Sequence, residues 1–309
     1  MSEENESATD NQALKNAIFA AKAAKDGASN GANPQQQQAP EPGVPISREE
    51  YAKQELGIEI PVDLVPLPSQ GLVYPGGHPL HKATQVEYKG MTVREEDILT
   101  SAALIKKGTV INELIKSCLL NKNLDVNSLL GGDRNAIMIA IRASGYGRIY
   151  TPAYTCPKCD TQQTIEIDLA ELGIKNLEIE PVQSGENLFS FELPRLKKEV
   201  LFKFLTGADE EEILSQLNAR KKRGIQTSNL ITTRLMSSVV AINGNRERNK
   251  LRQFIENMPA FDSKELRKYI DKHEPGVSMK AWFECSQAEC GHTEEVGIPM
   301  DASFFWPQS

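Results

Sequence analysis

Tyr154-Thr155-Cys156-Pro157-Lys158-Cys159-Asp160 and Trp282-Phe283-Glu284-Cys285-Ser286-Gln287-Ala288-Glu289-Cys290-Gly291-His292 are the two stretches that decide how this chain is built. Each places two cysteines on a short turn between strand-forming runs. The two-residue gap lets both sulfurs of the first turn face one point, and the four-residue gap of the second stays within metal-ligand spacing. Gly291 follows Cys290, where a tight backbone is needed. Together Cys156, Cys159, Cys285 and Cys290 predict one structural, tetrahedral Zn2+ site of the zinc-ribbon kind. Four thiolates fill the shell and leave no open position for catalysis. Three other readings stay open at this level: a redox pair at Cys156 and Cys159, uncoordinated thiols, and His292 as fourth ligand in place of Cys290. Cys118 lies on a helical apolar stripe and is expected in a core.

The two pairs are 125 residues apart, from Cys159 to Cys285. A simple ribbon has a much shorter gap. The intervening chain therefore reads as an insertion between two halves of a split ribbon, with the metal closing a long loop. The expected fold is α+β. A disordered low-complexity arm occupies residues 1–46, where Ala, Asn, Gln and Pro dominate and little apolar surface can be buried. Within it, Leu14, Ala17, Ile18 and Ala21 share one helical face, a minor signal for a short partner-binding helix. A strand, loop and helical domain follows at 47–149. The split ribbon takes 150–187 and 274–309, and an α/β insertion takes 188–273.

Periodicity fills in the elements. Ile58, Ile60, Val62 and Leu64 alternate as in an edge strand. Thr92 and Glu95 have capping-box spacing ahead of Ile98, Leu99, Ala102 and Ile105, with Gly108 as the stop. Gly131-Gly132 reads as a break, with Asp133 as N-cap of a helix over 134–144. Ile165, Ile167 and Leu169, then Phe189, Phe191 and Leu193, then Leu201, Lys203 and Leu205 read as strands. Helices are expected at 209–223, 230–242, 250–257 and 263–272.

Composition narrows the function. The 309 residues carry a net charge of −7, with 25% charged and 39% hydrophobic residues. An acidic chain has no overall electrostatic pull toward nucleic acid. The basic run Arg220-Lys221-Lys222-Arg223 ends a segment that opens with Asp209-Glu210-Glu211-Glu212, the order a helix dipole favours. Few aromatics interleave with it, so base stacking has no support. No apolar run approaches the ~20 residues of a membrane helix, and the acidic start lacks the features of a secretory signal. No phosphate-binding or nucleophile motif is present. His78 and His81 lack partner ligands and read as loop residues. No catalytic residue and no small-molecule substrate is expected.

Three strings carry a resemblance. They are Pro66-Leu67-Pro68-Ser69-Gln70-Gly71-Leu72-Val73-Tyr74-Pro75, Thr92 through Ser101, and Gly132-Asp133-Arg134-Asn135-Ala136-Ile137 through Gly147 into the first cysteine turn. In that order the chain resembles the baseplate hub proteins of contractile-tailed, T-even-type bacteriophages, best over 57–170. The resemblance implies a virion protein of the tail baseplate, assembled in the host cytoplasm and bound to other tail proteins. It supplies no catalytic residues. The runner-up is a zinc-ribbon module that binds nucleic acid or a transcription complex.

Three consecutive aromatics, Phe304-Phe305-Trp306, stand just before Pro307-Gln308-Ser309. An extended segment would turn Phe304 and Trp306 to one face and Phe305 to the other. That pattern suggests docking on the chain's own core, with one ring left for a partner.

Overall fold

A computed structural model describes Lys53 and residues 57–222, 229–300 and 302–305. The expected arm, Arg223 and Trp306 lie outside the described residues. Helix and strand are mixed along the chain, and every strand pair among the described residues is antiparallel.

The first unit is a two-stranded sheet of β1 (Val62–Pro66) and β2 (Gln85–Lys89), with Val65 opposite Val86. Val65, Val86 and Tyr88 are buried, while Val62 and Leu64 face out. The loop between the strands folds back on itself. Gly71 holds φ +68°, and a Cβ there would lie 2.4 Å from Ala83 N and 2.5 Å from Leu80 O, so only glycine fits.

Helix α1 (Val93–Thr100) begins with the expected capping box between Thr92 and Glu95. The helix expected to continue to Gly108 instead breaks at Ser101, and α2 (Ala102–Lys107) ends on Gly108 at φ +75°. Helix α3 (Val110–Cys118) buries Leu114, Ile115 and Cys118, placing Cys118 in the core as expected.

Helix α4 (Gly131–Tyr146) is the centre of the molecule and corrects two expectations. Gly131-Gly132 is no break: both glycines are helical, with Leu130 as N-cap. Gly132 is there because a Cβ would meet Pro275 O at 1.9 Å, so the helix touches a distant backbone directly. Asp133 is not the cap; it sits in the first turn, fully buried, and accepts from Ser69 N (2.9 Å), Ser69 Oγ (2.6 Å) and Tyr74 Oη (2.6 Å). Two of the strings read together in the sequence are thus joined by one carboxylate. Burial lifts the Asp133 carboxyl above its usual range although Ser69 and Tyr74 donate to it. Ile137 through Arg142 are buried without interruption, the pattern of a helix packed on all sides.

Short strands follow: β3 (Ile149–Tyr150), β4 (Ala153–Thr155), β5 (Gln162–Thr164), β6 (Ile167–Asp168) and β7 (Ile174–Lys175). β3 pairs with β6, and β4 with β5. A three-stranded sheet holds β8 (Phe189–Glu192), β9 (Glu199–Phe202) and β10 (Val239–Ile242), with β9 central. Helices α5 (Gly207–Lys222), α6 (Leu230–Ser238), α7 (Arg248–Asn257) and α8 (Ala260–His273) accompany it. The helix expected over 230–242 stops at Ser238. Val239 and Ile242, both β-branched, pair with β9 instead, with Val240 at a register shift between them, so sheet packing overrides the helical period. Asp262, at the start of α8, accepts the backbone N–H groups of Arg195 (2.9 Å) and Leu196 (3.0 Å) and ties the helix to the turn between β8 and β9.

The chain then returns. β11 (Gly276–Val277) pairs with β7, and β12 (Lys280–Glu284) forms a hairpin with β13 (Thr293–Gly297). One hydrophobic core runs from Val65 to Phe305, and a second, small cluster holds Cys156, Phe283, Cys285 and Val296.

Candidate metal centre

The two cysteine turns cap two hairpins. In the first, β4 and β5 pair Thr155 with Gln162, Cys156 N donates to Thr161 O (2.9 Å), and Asp160 N returns to Cys156 O (2.9 Å). Asp160 closes that turn at φ +57°. In the second, Cys285 N donates to His292 O (2.9 Å) and Cys290 N to Gln287 O (2.9 Å), with Gly291 at φ +55°. Both turns aim their thiols inward.

All four Sγ atoms lie within 4.8 Å of one another. Cys156 Sγ is 3.8 Å from Cys290 Sγ, and Cys159 Sγ is 3.5 Å from Cys285 Sγ. A disulfide needs about 2.05 Å, so no pair is bonded. A metal–sulfur bond of about 2.3 Å gives a tetrahedral edge of about 3.8 Å, which this spacing fits. Cys156 and Cys285 are buried, Cys290 is half-buried and Cys159 is exposed at the tip. The His292 ring is not among the clustered donors; its Nε2 lies 3.3 Å from Glu294.

The thiols respond to one another. Hydrogen bonds from Thr161, side chain and backbone, bring Cys159 down to about 6. A backbone hydrogen bond at Gln287 favours the Cys285 thiolate, yet desolvation and the adjacent thiols push Cys285 up to about 12. Four sulfurs this close cannot all ionise without a cation, and a divalent metal removes that conflict by taking all four as thiolates. The donor set therefore suits a metal ion.

Sequence spacing missed the residues that hold the hairpins together. Gln163 Nε2 donates to Glu284 O (2.7 Å), and Ser286 N donates to Gln163 Oε1 (2.7 Å). Lys158 Nζ donates to Cys290 O (2.8 Å), and Tyr154 Oη to Glu294 Oε1 (2.7 Å). The local stretch Gln162-Gln163-Thr164 carries no sign of this partner. The Tyr154 and Phe283 rings pack at 4.4 Å beneath the sulfurs.

Phe304 and Phe305 do not form a strand. Residues Ala302–Phe305 make a 3-10 turn. That turn puts Phe304 and Phe305 both in the chain's own core, and each is fully buried. Their rings meet at 5.3 Å, and Phe304 meets Tyr150 at 5.0 Å. Arg142 Nε donates to Phe304 O (2.8 Å) and Arg142 Nη1 to Gly147 O (2.7 Å), so a buried guanidinium fastens the turn to α4. Neither phenylalanine offers a free surface to a partner in this arrangement. His78 bonds Ser128 Oγ (2.9 Å) and His81 bonds Tyr74 O (2.6 Å), so both serve the loop.

The sequence model of the family described as T4 bacteriophage base plate protein matches residues 71–306, about three quarters of the chain, and the chain belongs to that family. No curated protein and no solved structure matches it. Membership makes it a structural protein of the phage baseplate, a part of the virion tail that meets other tail proteins. No helix among the described residues is long and apolar enough to cross a membrane.

Proposed function

We propose that this chain is a hub component of the baseplate, assembled in the host cytoplasm, which acts through protein–protein contacts and carries one structural Zn2+ on Cys156, Cys159, Cys285 and Cys290. The observation that carries the metal reading is the convergence of four sulfurs from hairpins 125 residues apart at tetrahedral spacing. Zn2+ is the ion such an all-thiolate set takes in a structural role, and a filled shell leaves it no catalytic position. We read the chain as a strand and helical part at 47–149, a split zinc ribbon at 150–187 and 274–309, and an insertion at 188–273. The pairing of β7 with β11 supports that division, because it joins the chain just before the insertion to the chain just after it.

Metal analysis of freshly purified, reduced protein tests the zinc reading; about one zinc per chain is expected, and its absence overturns the reading. The hub assignment predicts density for this chain at the centre of assembled baseplates, and a peripheral position overturns it. Binding to nucleic acid that weakens steeply with salt would instead favour the zinc-ribbon nucleic-acid module.

A further inference from the structure

The outer face of the β12–β13 hairpin carries Trp282 at 67% exposure. Its neighbours in sequence turn the other way: Phe283 is buried and Ala281 packs on the core. The hairpin is held rigid by its five-pair register and, on the reading above, by metal at its tip. Trp282 is therefore presented on a fixed platform.

The ring does not cover the paired strand at Gly297. Gly297 is the diagonal neighbour that an indole covers when it shields a glycine gap. Yet no atom lies within 4 Å of where a Cβ of Gly297 would stand. The face around the ring is acidic. Glu295 is directly opposite Trp282 in register, and Glu284 is two residues along on the same face. Directly opposite residues have Cβ atoms about 4.5–5.5 Å apart. Lys280 also lies here and pairs with Glu295 at 2.6 Å, which leaves the Glu284 carboxylate as the excess charge. Two glutamates against one lysine beside an open indole suit a cation. The indole offers its π face, and the carboxylates offer charge and hydrogen-bond acceptors. The same charge repels a phosphate backbone.

We propose that Trp282, Glu284 and Glu295 form a docking face for an arginine- or lysine-bearing segment of a neighbouring baseplate protein. Family membership supplies tail proteins as the class of partner. Large aromatics in such positions dominate interface energy, while the surrounding polar groups set specificity.

Two experiments in infected cells, each using the full chain, test this. In the first, a phage lacking the gene is complemented with Trp282→Leu, Trp282→Phe, Glu284→Lys or wild type. Thermal unfolding and metal content of each purified variant confirm folding independently. Trp282→Leu and Glu284→Lys are expected to give at least about tenfold fewer complete tails, and Trp282→Phe to retain more than Trp282→Leu, because phenylalanine keeps a π face. Wild-type tail yield with Trp282→Leu overturns the docking face. Equal yields for Phe and Leu, or wild-type yield with Glu284→Lys, overturn its cationic occupant. In the second, the photo-crosslinker p-benzoylphenylalanine is placed at position 282, with position 214 on α5 as an exposed control. Assembled baseplates should show a cross-link from 282 to another tail protein within a few residues of an arginine or lysine. Absence of that cross-link, or one to a second copy of this chain, overturns the proposal.

Discussion

Gln163 reaches from one cysteine hairpin to the other and treats the strand end at Glu284 as a backbone partner would, donating to its carbonyl while accepting from Ser286 N. The two bonds belong to one side-chain amide and act on either side of Cys285. Gln163→Ala should leave the four ligands in place yet loosen their approach. Two hydrogen bonds at a half-exposed site contribute about 1 kcal/mol together. Competition with a chelator should show metal held roughly fivefold less tightly, a change of about that free energy. Gln163→Glu keeps the acceptor and loses the donor, so it should fall between. Unchanged metal affinity in both variants would show that the amide merely decorates the hairpins.

The cysteines divide into two kinds. Cys156→Ser should abolish stoichiometric metal and loosen both hairpins. Because the cysteine cluster is separate from the main core, most far-ultraviolet circular dichroism should survive. Cys118→Ser should keep the metal and cost about 1–3 kcal/mol by burying a hydroxyl in the core. A full loss of secondary structure in Cys156→Ser would show that the main core depends on the metal.

Gly132 and Gly145 lie in the same helix and should respond differently to alanine. At Gly132 the new methyl meets Pro275 O and Gly276 Cα, both backbone. At Gly145 it meets the Met91 side chain at 3.1 Å, which can swing aside. Urea unfolding should place Gly132→Ala about 3 kcal/mol or more below wild type. Gly145→Ala should lie near wild type, since alanine is also the better helix former. Equal effects would mean that α4 does not touch Pro275 in solution.

Glu95 gives a pH signature. Burial alone would raise its carboxyl, but hydrogen bonds from Ser117 and Thr92, with Lys89 alongside, outweigh burial and hold it below the usual carboxylate range. A folded value below the unfolded one adds stability that is present above the ordinary glutamate value and lost as pH falls through the folded value. The stability gap between wild type and Glu95→Gln should therefore be full at neutral pH and close below about pH 4.5. Hydrogen bonds to a charged group predict a gap of about 1.5–3 kcal/mol each before compensation by the amide. A gap that stays constant down to pH 3 would rule this out.

Phe304→Ala should destabilise the isolated chain by about 3–5 kcal/mol, as for large aromatics removed from cores. Removing residues 303–309 should lower the melting temperature further, because Arg142 then loses the Phe304 carbonyl. Unchanged stability on either change would mean that the terminal turn is not docked.

What could be read in the sequence was what depends on near neighbours. The capping box at Thr92 and Glu95, the α7 and α8 helices and the cysteine turns are set by spacings of a few residues, and they stand where spacing put them. Residues whose role depends on something far along the chain misled or stayed silent. Gly132 looks like a helix break unless Pro275 is known to lie against it. Asp133 looks like a cap unless Ser69 and Tyr74 are known to point at it. Val239-Val240 fit a helical period until β9 offers them a sheet. Gln163 carries no local signal at all, because its partners are more than 120 positions away. For Phe304 and Phe305 the alternation presumed an extended chain, whereas Ala302–Phe305 coils and buries both rings.

The bond between Arg142 and Phe304 spans 162 positions, and it has a consequence for how the protein is made. Residues 136–142 of helix α4 are buried without a break, and part of the helix's cover comes from Pro275, Gly276 and the terminal turn. A ribosome adding roughly 5–20 residues each second leaves that helix waiting on the order of 10–30 s for the last of its cover. During that interval the nascent chain carries a sticky, half-dressed rod. Translation speed and chaperone occupancy across the stretch from α4 to the terminus should therefore govern how much of the newborn chain reaches the assembling tail.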